Sequence, residues 1–147
     1  MDLKIKRAVE EIRLGDEPDA PVFYLDLSDS RMVGMVNDLD KLRRRVGVAQ
    51  GKLAEAKEQD DIIEGLKTLA KICREIIALL LGKKAEKQII AYIKGGQNMA
   101  DYEVATSIAL VAVELTNVIN DRYVNPLAQF AERAYLGDQA ESDFKVI

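Results

Sequence analysis

The sequence predicts a mainly α fold, a helical bundle of about four to five helices with a small N-terminal β-hairpin. Apolar residues recur every three or four positions through most of the chain after residue 30, which is typical of helices. The first thirty residues instead combine a turn-rich segment with a strand-like one. A length of 147 residues with 48% hydrophobic content fits one folded domain. We expect a single domain over residues 1–147, with a β-hairpin region at about 1–28, the helical bundle at 29–136 and a flexible tail at 137–147.

The β-hairpin is predicted from the residue types around one turn. Gly15–Pro21 is dense in turn residues, and Val22–Leu27 has the β-branched and aromatic content of a strand. Residues 5–14 have both helical spacing and the start of a possible strand, so both interpretations stay open there. A two-stranded ribbon is marginally stable alone, so it must pack on the helices or offer its edge to another chain. The candidate edge residues are Val22, Phe23, Tyr24 and Leu25.

A long helix is predicted from Arg31 to about Gln59. Ser28 and its neighbours offer capping oxygens, and the apolar residues from Met32 to Ala56 follow a seven-residue repeat. Such a repeat is typical of a helix that lies along a bundle or a coiled coil. Leu39 and Leu42 are therefore candidates for a self-association seam, and packing in the core of the single chain is the alternative.

The most regular helical pattern is Asp61–Leu81, and we expect the rest of the chain to pack around this helix. Its apolar residues form one continuous stripe, and its charged residues occupy the opposite face. The chain's one cysteine, Cys73, lies on the stripe. It is therefore predicted to be a small core residue in a reducing compartment.

Three further helices are predicted after Leu81. A short one covers Ala85–Lys94 and ends at a pair of glycines, and the next is capped by Asn98. This second helix is apolar nearly all round, as in a helix buried in a bundle or covered by a second molecule. Leu110 and Val113 lie opposite its main stripe and are candidates for a partner surface. A last helix is predicted to begin near Pro126, where a first turn tolerates proline.

The chemistry of known enzyme sites is missing from the sequence. There is no histidine and one cysteine, which removes the usual general base and the common zinc ligands. No glycine-rich phosphate loop and no Glu-x-x-His pattern occurs. We therefore expect no enzymatic activity, no catalytic or metal-binding residues and no cofactor.

Charge and hydropathy favour protein partners. The net charge of −4 gives no reason to expect nucleic acid, and a helix would fan the one basic run, Arg43–Arg45, around its axis. The apolar run Ile108–Leu115 is far shorter than the roughly 20 residues of a membrane span. The charged N-terminus has no signal-peptide pattern. We expect a cytoplasmic protein that binds neither nucleic acid nor membrane.

The order of elements, from the YLDLSD end of the β-hairpin through the turn at Gly82–Ala85, resembles the tail assembly chaperones of long-tailed bacteriophages and prophages. The likeness covers about residues 11–122 and includes LLLGKKAEKQIIAYIKGGQNMADYEVATSIALVAVELTNVI. The matching positions are Gly82, Ala85, Ile89, Ile90, Ile93, Gly95, Tyr102, Ile108 and Val118.

The resemblance implies a non-catalytic chaperone that works in the host cytoplasm and is absent from the mature virion. Its partners would be the tape measure protein, whose long apolar helices it covers, and the tail tube protein, which it recruits. It would also form a homo-oligomer. The alternative is a structural or adaptor helical-bundle protein that forms a stable homo-oligomer, with the repeat in Met32–Ala56 as a permanent seam.

Overall fold

The computed structural model describes residues 2–3 and 7–134, so the predicted tail at 137–147 lies outside the described residues. The mainly α prediction is confirmed, since the described residues form four α-helices and one two-stranded sheet. The described residues form two compact units, which divide between Leu115 and Thr116.

The first unit begins with the predicted ribbon. Strand β1, Val9–Arg13, pairs antiparallel with strand β2, Val22–Asp26. Alternate residues of β2 are buried, so one face of the ribbon packs inward, and β2 contacts the central helix α2 (Gln59–Leu81). The Tyr92 hydroxyl donates a 2.8 Å hydrogen bond to Glu17 in the turn. The turn of the ribbon is thereby held against the helix that contains Tyr92.

Helix α1, Asp29–Glu55, and helix α2, Gln59–Leu81, form an antiparallel helical hairpin. Helix α1 stops before its predicted end because Ala56 adopts an extended conformation, with φ −69° and ψ 132°. The Arg31 guanidinium donates a 2.6 Å hydrogen bond to the carbonyl of Leu79. That carbonyl lies in the last turn of α2, where no amide of the helix can reach it, so Arg31 satisfies it.

Helix α2 is the centre of the first unit. It contacts α1, β2, helix α3 (Lys83–Ile93) and a 3₁₀ turn at Asp101–Val104. The link between α2 and α3 is one residue, Gly82, whose φ of 93° suits glycine. The buried residues of α2 are Leu69, Ala70, Ile72, Cys73, Ile76, Ile77 and Leu80. All but Ile72 belong to the predicted stripe or its flanks, and the first stripe residue, Ile62, is 37% exposed.

Helix α4, Ala105–Ile119, follows the 3₁₀ turn directly. The prediction that Asn98 caps this helix is wrong, because the turn begins after Ala100, whose amide donates to the Glu103 carboxylate at 2.6 Å. Within the first unit, α4 buries Ala105, Ile108, Ala112 and Leu115.

The described part of the second unit, residues 116–134, is helical throughout. The prediction of a new helix at Pro126 is wrong, since a π turn at Asn120–Val124 leads straight into the helical residues 125–134. The Asn125 amide bonds to the carbonyl five residues back, at Asn120. Proline has no amide hydrogen and would leave one carbonyl of a regular α-helix without its partner. A π turn shifts the hydrogen bonds from four to five residues back, so the helix can continue through the proline.

One described helix, Asp101–Ala134, is long and apolar enough to cross a membrane by length and composition, with 33% of its most apolar window buried. Core helices of soluble proteins meet the same criterion. The expectation that the protein avoids membranes therefore stays a prediction.

Candidate protein-interaction site

The structure divides the eight residues predicted for a partner surface into three groups. Phe23, Leu25 and Leu39 are at most 8% exposed and belong to the core of the single chain, so we remove them from the candidate surface. The physical reason is that β2 turns this face toward α2, and α1 turns the first half of its stripe inward. Val22 and Leu42 are half-buried.

Tyr24, Leu110 and Val113 are exposed, at 67%, 60% and 46%. They lie on two different elements, β2 and α4, and a single exposed apolar side chain is ordinary on a protein surface. Tyr24 alone therefore does not indicate a binding site. Leu110 and Val113, in contrast, lie one turn apart on α4 and form a small apolar pair.

An open groove that the sequence did not predict lies along the helical hairpin of the first unit. We call it the α1/α2 groove; it has a volume of about 670 Å³ and is lined from Arg44 to Ala56 on the α1 side and from Asp61 to Ile72 on the α2 side. Over twelve residues at about 1.5 Å each, its length is roughly 18 Å, or three turns of a helix.

The floor of the α1/α2 groove is apolar. Val48 is 60% exposed there, while Ala49 and Ile72 are buried beneath it. Gly65 has no side chain, and a Cβ at this position would lie 2.8 Å from Cδ1 of Leu53. Glycine therefore lets Leu53 pack directly on the backbone of α2 and keeps the two helices close.

The two rims of the α1/α2 groove carry opposite net charges. Arg44, Arg45 and Lys52 line the α1 side together with one acidic residue, Glu55. The charged residues on the α2 side, Asp61 and Glu64, are both acidic, so the net charges of the rims are opposite. An apolar floor between charged rims is the usual form of a groove that accepts an amphipathic helix. The arrangement can hold a helix.

A partly buried ion cluster stabilises the opposite side of α2. The Arg74 guanidinium donates to Glu86 of α3 and, at 2.7 Å, to Asp101 in the 3₁₀ turn, and Lys94 also reaches Asp101 at 2.7 Å. Glu86 is 7% exposed, so its carboxylate depends on this guanidinium. The cluster connects three elements and is best explained as structural.

The charges of the cluster also set the protonation of Asp101. Burial alone would raise the pKa of its carboxyl, but the hydrogen bonds from Lys94 and Arg74 outweigh burial and hold that pKa below its usual value. The carboxylate therefore stays ionised near neutral pH. A general acid would need the opposite shift, so the cluster does not resemble an acid–base pair.

The lone thiol lies within the core. Cys73 is 1% exposed, and burial raises its pKa to about 11. At pH 7 to 8 the thiol is therefore protonated, and the thiolate is the reactive form. The described residues contain no cluster of three potential metal ligands that could use it.

We expect Cys73 to be unreactive in the folded protein. With an aromatic disulfide reagent at pH 8, native protein should react at least roughly a hundredfold more slowly than protein in 6 M guanidinium, because reaction requires both exposure and the thiolate. Absorbance of the released thiol measures both rates. Fast reaction of the native protein would contradict a buried position for the thiol.

No protein-family model, curated protein or solved structure matches this chain. The interpretation of the site therefore depends on its own geometry and on the resemblance of the sequence.

Two signals in the sequence could have pointed to the α1/α2 groove. Val48 is an apolar residue that does not belong to the seven-residue stripe, and Gly65 costs a helix interior about 1 kcal/mol relative to alanine. A costly glycine inside a helix indicates a close approach. Which charged residues line the groove could not be predicted, because this depends on how α1 and α2 are rotated about their axes.

Proposed function

We propose that this protein is a non-catalytic tail assembly chaperone of a phage or prophage, which binds the tape measure protein and recruits tail tube subunits during tail morphogenesis. It acts in the host cytoplasm, has no cofactor and leaves before the virion is complete. The resemblance of residues 11–122 to that family supports the identity, and the α1/α2 groove supports the mode of binding.

The observation that carries the proposal is the partly exposed apolar floor at Val48. A tape measure protein is expected to present long apolar helices, and such helices aggregate when they are not covered. A groove about three turns long, with an apolar floor and charged rims, can cover one stretch of such a helix at a time. Weak, repeated contacts of this kind allow a client to be released later.

The proposal predicts that Val48→Asp abolishes client binding without unfolding the chain. Val48 is 60% exposed, so aspartate there has little effect on stability, but it places a charge on the groove floor. We expect affinity for a purified apolar helical segment of a tape measure protein to fall at least about tenfold, equivalent to about 1.4 kcal/mol. Light scattering of the segment and co-elution on size exclusion measure the effect.

The matched control is Val33→Asp, the same substitution on the same helix at a residue that is 73% exposed and lies outside the groove. This variant should protect the segment as well as the wild type does. If the wild type neither binds the segment nor limits its aggregation, the proposed function is wrong. An equal loss of affinity for the segment in Val48→Asp and Val33→Asp would rule out the groove as the binding site.

The second candidate is a structural or adaptor protein that forms a stable homo-oligomer. The exposed pair Leu110 and Val113 on α4 favours it, because a second copy could cover this surface. A stable oligomer has the same mass at all dilutions and does not bind the tape measure segment. A chaperone of the proposed kind loses mass on dilution and gains mass with its client.

A further inference from the structure

The two sides of the α1/α2 groove differ in net charge, which restricts what can bind in it. On the α1 side, the charged residues are three cations, Arg44, Arg45 and Lys52, and one carboxylate, Glu55, at the end of the helix. On the α2 side, the charged residues are Asp61 and Glu64. A helix with one kind of charge along both of its edges would meet attraction from one rim and repulsion from the other.

The rim charges are available to a partner. Arg44 pairs with Asp40 at 2.9 Å and Arg45 pairs with Glu75 at 2.8 Å, but these side chains are 39–80% exposed, and such pairs stabilise a protein little. Lys52 has no ion pair within residues 2–3 and 7–134. Redirecting these groups toward a bound helix therefore costs little.

We infer that the α1/α2 groove binds one amphipathic helix whose apolar stripe is flanked by acidic residues on one edge and basic residues on the other. The apolar stripe covers Val48, the acidic edge faces the α1 rim and the basic edge faces the α2 rim. This inference rests on the proposed function, and it specifies the class of client helix.

The charge pattern also fixes the direction of the bound helix. Reversing a helix in the groove exchanges its two edges, so an acidic edge that faces Lys52 in one direction faces Glu64 in the other. A client with this pattern therefore binds in one direction. A series of such grooves along a tape measure protein would then point the same way.

Three peptides of fourteen residues test the inference. Each carries the same leucine stripe and a hydrocarbon staple on its outer face, which keeps all three equally helical. The edges are glutamate and lysine in the mixed peptide, glutamate on both edges in the second, and lysine on both edges in the third. At low salt we expect the mixed peptide to bind about tenfold tighter than either other peptide, as measured by fluorescence anisotropy.

A charge reversal on one rim provides the second arm. Lys52→Glu should weaken binding of the mixed peptide about fivefold and strengthen binding of the lysine peptide by a similar factor. The matched control is Lys41→Glu, an exposed lysine of α1 outside the groove, which changes the net charge equally. It should alter neither affinity more than about twofold, since screened charges far from the groove act weakly.

The outcomes separate this inference from the proposed function. Equal affinity of all three peptides, lost in Val48→Asp, would overturn the charge pattern and leave a helix-binding groove. Failure of every peptide and of the tape measure segment would overturn both. The wild-type protein could also have the mass of a dimer at all dilutions, and Val48→Asp the mass of a monomer. That result would show that a second copy fills the groove, and it would overturn the inference.

Discussion

Arg74→Met should lower the free energy of unfolding by about 3 kcal/mol, because it leaves the buried Glu86 carboxylate without its cation. Methionine keeps the aliphatic length of the side chain, so the loss reports the charge and its hydrogen bonds. The guanidinium also bonds Asp101, which ties the 3₁₀ turn before α4 to α2. Urea unfolding followed by circular dichroism at 222 nm measures the change.

Two variants show whether the buried charge is the cause. In Arg74→Met combined with Glu86→Leu no unpaired charge is left, so most of the lost stability should return. Arg44→Met removes an exposed pair with Asp40 and should cost about 0.5 kcal/mol or less. A double variant as unstable as the single one would refute the assignment of the cost to Glu86.

Leu39→Ala should be comparably destabilising, at about 3 kcal/mol. Leu39 is 3% exposed in the single chain, so truncation leaves a cavity in the core of the first unit. The loss should be the same at all protein concentrations, because the contacts lie within one chain. Urea unfolding over a hundredfold range of concentration is the measurement.

Leu42→Ala serves as the comparison on the same stripe. Leu42 is half-buried, so its truncation within a single chain should cost about half as much. A cost for Leu39→Ala that grows on dilution would indicate that the seven-residue repeat is an oligomer seam after all. That result would favour the structural homo-oligomer over the chaperone.

The strongest periodic signals predicted the fold well. Helix α2 ends at Leu81, as the sequence predicts, and begins at Gln59, two residues before the predicted start. The apolar stripe and the glycine after Leu81 were sufficient to locate this helix. Strand β2 was predicted from its residue types within one residue at its C-terminal end. Local pattern and tertiary packing agree in these elements, so the sequence was sufficient.

Predictions failed where backbone hydrogen bonds allow several solutions. Ala56 continues the α1 stripe in the sequence, yet its backbone is extended. Pro126 is typical of a helix start, yet the helix continues through it because a π turn precedes it. The α1/α2 groove was missed for another reason, since it depends on the rotation of two helices about their axes, which residue spacing in one chain does not give.

The short links between the helices have a consequence for folding kinetics. Three residues join α1 to α2, and Gly82 alone joins α2 to α3, so α1 packs on α2 and α3 packs on α2. Loop closure costs little entropy for such contacts, and domains rich in them fold in microseconds to milliseconds. Ribosomes add roughly 5 to 20 residues per second. We therefore expect the first unit to fold in less time than a ribosome takes to add one residue.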